Sequence, residues 1–129
     1  MYPKGIVNKL SRTQRGLLWA AWLAGVLVVI VLSLLPNNSA PIRLLEHASD
    51  KVLHFGGYLV LGLIPVLIAK KRSAAVAAVA SVIVLGLALE FGQLFVPGRN
   101  FDVRDYLADD LGVFCGVVAG GCLLRRALS

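Results

Sequence analysis

A chain of 129 residues that is 58% hydrophobic and 16% charged, with a mean hydropathy of +0.81, is too apolar for a soluble domain of its size, where charge runs near about 25%. Its net charge of +6 is sorted by position and forms no basic stripe with interleaved aromatics, so nucleic acid is excluded as a partner. A bilayer protein is the class that remains. No linker, internal repeat or low-complexity tract divides residues 1–129 into more than one domain.

A transmembrane helix takes about 20 mostly apolar residues. The first candidate, 16–35 (GLLWAAWLAGVLVVIVLSLL), carries no charge. Basic residues precede it as in a secretory signal, but its apolar core outruns the usual ~7–15 residues and PNNSAP offers no small-x-small cleavage site. We therefore keep it as a span. The second, 52–69, carries His54 near its start, and the third, 74–96, carries Glu90 near its end. Only KKRS separates these two, which predicts a tight antiparallel hairpin. The fourth, 106–124, opens on Asp109 and Asp110. The expected fold is all-α: an integral membrane four-helix bundle.

Lys4, Lys9, Arg12, Arg15, Lys70, Lys71, Arg72, Arg125 and Arg126 fall on one side of this layout, with no acid beside them. The other side receives Arg43, Lys51, Arg99, Arg104 and all seven carboxylates. Nine basic residues against four predict that both termini are cytoplasmic. Trp19 and Trp22 are then expected as anchors near the inner interface.

The polar residues gather at the outer ends. Asp50, His54 and Tyr58 stand four apart and make one helical stripe, with Lys51 beside it. Glu90 and Gln93 share a face of the third span, and Asp105 and Asp109 a face of the fourth. With a rise of about 1.5 Å per residue, Glu90 and Tyr58 lie roughly 9–10 Å below the outer boundary, in one layer. Ionisable groups at such depth face the bundle interior and are site candidates, so the cluster is expected to line a cavity opening outward. Asp102 and Asp105 also fit a helix N-cap and its third position, and Pro97–Gly98 the turn ending span three. Cys115 and Cys122 read as apolar packing. Ala108, Gly112, Gly116 and Gly120 form a small-residue stripe. Close packing within the monomer, against Gly56, Gly57 and Gly62, is the first reading, and a homo-oligomer contact the alternative.

DKVLHFGGYLVLGL, LEFGQLFVPGRNFDVRDYLADDLG and the four-span layout resemble the VanZ-like family of small membrane proteins. The family pattern D-K-x-x-H-F-x-x-Y falls on Asp50, Lys51, His54, Phe55 and Tyr58. E-x-x-Q-x-F-x-P-x-R falls on Glu90, Gln93, Phe95, Pro97 and Arg99, and D-x-x-D-x-x-x-N-x-x-G on Asp102, Asp105 and Gly112. The resemblance covers roughly residues 17–124. It departs where the family usually has Asn and this chain has Asp109, followed by Asp110, which puts direct transfer of ligand preference in doubt. The resemblance implies a bacterial cytoplasmic (inner) membrane protein with a cell-envelope role, the founding member being linked to resistance to the lipoglycopeptide teicoplanin. It implies a phenotype class and no defined reaction.

Three functions compete. The first is binding or modification of an amphiphile, such as a lipid-linked envelope precursor or an acylated antibiotic. Asp50, Lys51, Tyr58, Gln93, Arg99, Asp102, Asp105 and Asp109 would contact it, with Arg99 gripping a phosphate or carboxylate by its planar fork. The second is a small membrane enzyme using His54 with Glu90 or Asp109 as general acid and base. It lacks H-E-x-x-H, a nucleophile-elbow Ser and any Cys in the cluster, so it would need a carboxylate, Tyr58, water or a carboxylate-bound hard metal. Whether the chain is an enzyme stays open, and no metal or cofactor is expected. The third, a proton-linked transporter, is disfavoured because the inner halves of the spans carry almost no polar residues.

Overall fold

The computed structural model describes residues 9–45 and 50–127, without the side chains of Leu45 and Asp50. Lys4 and the Asp50 side chain therefore lie outside the description. The described residues form α1 (Arg12–Leu34), α2 (Ala40–Leu45), α3 (Asp50–Ile68), α4 (Arg72–Gln93) and α5 (Val103–Arg126). All except α2 are long and apolar enough to cross a membrane, and they alternate in direction. The chain is an all-helical membrane bundle. The ends of α1 and α4 meet the starts of α3 and α5 at one pole, called here the acidic pole. Arg12, Arg72, Arg125 and Arg126 sit at the other.

Local chemistry sets the helix ends, and it moves them from where hydropathy alone suggested. α1 starts four residues early because Ser11 and Gln14 form a capping box, each side chain bonding the other's backbone amide. α5 starts three early on the N-cap Asp102. α4 stops at Gln93, short of Val96. The amides of Phe95 and Val96 turn back to Gly92 and Gln93, and Gly98 takes φ +77, a left-handed value that glycine adopts without strain. Glu90 therefore lies in the last turn of α4, about 4.5 Å from its end. α2 is a single short helix in the first connection at the acidic pole that the apolar pattern did not show.

Exposed apolar side chains run along the outer faces, as in Leu107, Leu111, Phe114 and Val118 of α5, a helical spacing that suits contact with lipid. In a bilayer, dispersion and close approach hold such helices together, because lipid tails are as apolar as leucine. The closest approach joins α3 and α5. A Cβ on Gly116 would lie 2.1 Å from the Leu59 carbonyl oxygen, and one on Gly112 2.3 Å from that of Phe55. Gly62 faces back against Val113, with its carbonyl oxygen 2.7 Å from the same construction. Gly56 and Gly57 have nothing within 4 Å and take no part in the seam. The stripe is thus filled by α3 of the same chain, and a contact between copies would have to use another face.

Trp22 is no interfacial anchor. It is 7% exposed, packs edge-on against Trp19, and joins Tyr58, Leu61, Val82 and Val113 in the core. Its indole Nε1 donates to the Leu61 carbonyl at 2.9 Å. Pro65 lies four residues after Leu61 in α3 and has no N–H to give that carbonyl. Trp22 supplies the missing donor and ties α1 to α3 at mid-depth.

Candidate functional site

At the acidic pole, the start of α5 organises an outer rim. The Asp102 carboxylate accepts from the Arg104 amide at 2.8 Å. Lys51 Nζ lies 3.4 Å from the same carboxylate and also bonds Asp105. The Arg104 amide, and after it Lys51, holds the Asp102 carboxyl below its ordinary range. Lys51 and Asp102 are 45% and 44% exposed, so this pair adds little stability. Asp105 does not reach back to cap Asp102 as a third-position acid would. The Asp102 amide instead donates to Glu90 Oε2 at 3.1 Å. A carboxylate from α4 completes the cap of α5 and so fixes one helix end against the other.

Beneath the rim, His54 Nδ1 meets Asp109 Oδ1 at 2.8 Å. With Asp109 ionised, the imidazole donates in this bond. One ligand-type atom from each of His54, Glu90 and Asp109 lies within 4.8 Å of the other two. These residues come from α3, α4 and α5. Tyr58 and Asp109 meet over Gly86, whose added Cβ would stand 3.4 Å from the Tyr58 hydroxyl and 3.5 Å from Asp109 Oδ2. Gly86 lies four residues before Glu90 on the same helical face. Its missing side chain makes room for the pair.

Glu90, Asp109, Tyr58, Gln93 and Asp105 are all buried. Among the described residues these side chains form a buried cluster beneath a partly exposed rim. The effective penalty for burying an ion is several kcal/mol, so two buried carboxylates beside one imidazole are costly for a fold that needs only packing.

Arg99 is not brought into the cluster. Its Nε and Nη2 donate to the carbonyls of Leu35 and Leu32, each at 3.1 Å. These groups at the end of α1 have no partner within the helix, and a cation there also meets the negative end of the helix dipole. Asn37 Nδ2 bonds the Gly98 carbonyl alongside. The PGRN loop is thus clamped to α1, and the guanidinium fork is engaged with backbone instead of a ligand. The free thiols Cys115 and Cys122 lie farther along α5.

The VanZ/LLP1 family model matches residues 11–124, most of the chain. The chain belongs to this family. No curated protein and no solved structure matches it. In this VanZ-like chain, His54, Tyr58 and Glu90 converge with Asp109, the position that departs from the family pattern quoted above. The departure therefore falls at the centre of the cluster, where Asp109 sets a second carboxylate against His54. Gly86 and Asn37 are the residues that motif spacing missed. For Gly86 a signal existed, since Gly86, Glu90 and Gln93 follow i, i+4, i+7 along one face.

Proposed function

We propose that this VanZ-like protein engages the polar head of an amphiphile, such as a lipid-linked envelope precursor or an acylated glycopeptide, at its acidic pole. The observation that carries this reading is the convergence of His54, Glu90 and Asp109 from three helices under an accessible Lys51–Asp102 rim. Ionisable groups held together inside a membrane are functional by default, and exposed apolar faces beside them would take an acyl chain. The pole is read as facing away from the cytoplasm because the basic residues sort nine to four. The site then acts in the cell envelope, in line with the teicoplanin phenotype of the founding member.

The test is mass spectrometry of lipids that co-purify with the protein in mild detergent, with membrane abundance measured in parallel. An amphiphile enriched over bulk lipid with the parent chain should fall at least tenfold with His54→Ala and with Glu90→Gln at equal abundance. Those variants should also lose protection in a teicoplanin-susceptibility assay in a suitable host. Arg99→Lys should keep the amphiphile, since Arg99 serves the end of α1. Identical lipid profiles for the parent and both site variants would refute the reading.

Acid–base catalysis on the bound head is the second reading, favoured by one observation. Asp109 orients the His54 imidazole while Glu90 stands beside both, an arrangement that suits one base and one acid flanking a water. Radiolabelled membrane lipids incubated with the protein should then lose one species and gain another with the parent but not with His54→Ala. Unchanged lipids would leave binding alone.

A further inference from the structure

We propose that His54, Glu90 and Asp109 form a binding site for one divalent metal ion of the borderline first-row class, zinc foremost. Zinc sits about 2.0–2.2 Å from nitrogen and carboxylate oxygen donors, which places tetrahedral donors about 3.4 Å apart. The three donor atoms already lie within 4.8 Å of one another. Closure on an ion therefore needs side-chain movements on the order of 1 Å and no movement of a helix. The donor set also selects among metals. Calcium takes about six to eight oxygens, soft ions want thiolate, and one imidazole with two carboxylates suits zinc or manganese.

Charge points the same way. Glu90 and Asp109 are 1% and 2% exposed, and no lysine or arginine of the described residues pairs with either. Lys51 is held by Asp102 and Asp105, and Arg99 by the carbonyls of α1. Two ionised carboxylates with a neutral imidazole would sum to −2, which one divalent ion would cancel.

A supporting shell is also in place. The Asp102 amide holds Glu90 Oε2, and the Tyr58 hydroxyl lies against Asp109 at Gly86. Such outer partners orient ligating carboxylates. Gln93 is 3% exposed and stands one turn beyond Glu90 on the same face of α4.

The inference does not depend on the amphiphile reading, because metal content and lipid content are separate readouts. Tag-free protein in detergent is stripped with a chelator, titrated with zinc chloride, freed of unbound ion by gel filtration and measured by elemental mass spectrometry. The parent chain should retain about one zinc per chain, and cobalt in its place should give visible d–d absorption. His54→Ala and Asp109→Asn should each weaken uptake at least tenfold. Tyr58→Phe, which touches only the outer shell, should weaken it about tenfold, and Arg43→Gln should change nothing. Less than a tenth of an equivalent on the parent overturns the proposal, as does equal uptake by the parent and the ligand variants. Should the alanine variant not fold, Glu90→Gln and the parent's cobalt spectrum decide. A spectrum without visible bands at one equivalent overturns it.

Discussion

Replacing Gly116 by alanine adds one methyl group at the tightest point of the α3–α5 seam. That carbon would stand 2.1 Å from the Leu59 carbonyl oxygen, 2.8 Å from the Leu63 nitrogen and 3.1 Å from the Leu59 carbonyl carbon. Carbon–oxygen contacts between packed helices ordinarily lie at about 3.3–3.6 Å, so the overlap with the oxygen exceeds roughly 1 Å. All three obstructing atoms are backbone, and no rotamer change relieves them. The helices must separate. Overpacking of this kind costs about 1–3 kcal/mol, and here it also loosens the contacts at Gly112 and Gly120 on either side. We expect Gly116→Ala to lose at least about 2 kcal/mol and Gly116→Leu to give little folded protein. Gly121 is the control, because nothing lies within 4 Å of its added carbon. Gly121→Ala should melt at or slightly above the parent, as alanine favours the helix. Thermal unfolding in one detergent, followed by far-UV circular dichroism, compares the three. A Gly116→Ala protein that melts with the parent would refute the backbone-to-backbone seam.

Trp22→Phe should destabilise the protein by about 1–3 kcal/mol, since it keeps the ring but strands the buried Leu61 carbonyl. Pro65→Ala should recover much of that loss in the double variant, by restoring the helical N–H to the same carbonyl, and fully additive melting shifts would sink this account. For topology, a reporter active only outside the cytoplasm should stay silent when fused after Ser129 and be active when inserted at Asn38. The reverse pattern would place the acidic pole inside.

The four spans and the gathering of charge at one pole were legible because hydropathy and helical period depend on the chain alone. Partner choice was not. Periodicity put Asp105 on the correct face, but whether it caps its own helix or meets Lys51 depends on where α3 stands. Arg99 was legible as a fork and not as a clamp, since its acceptors belong to a helix some sixty residues earlier. Trp22 looked like an anchor because its bond to Leu61 is created by Pro65 on another span. His54, Glu90 and Asp109 each stood out, yet no spacing within one helix announces a trio drawn from three.

The seam between α3 and α5 leaves no slack for one helix to slide or tilt on the other. Mechanically the two behave as a single stiff plank, and His54 and Asp109 are set across its joint at a fixed distance. Glu90 rides on α4, which has no such interlocked backbone. Moving Glu90 away from that pair would therefore require α4 to shift, against the Glu90–Asp102 bond. Side chains on the plank fix the His54–Asp109 pair, and those on α4 fix how near Glu90 stands to it.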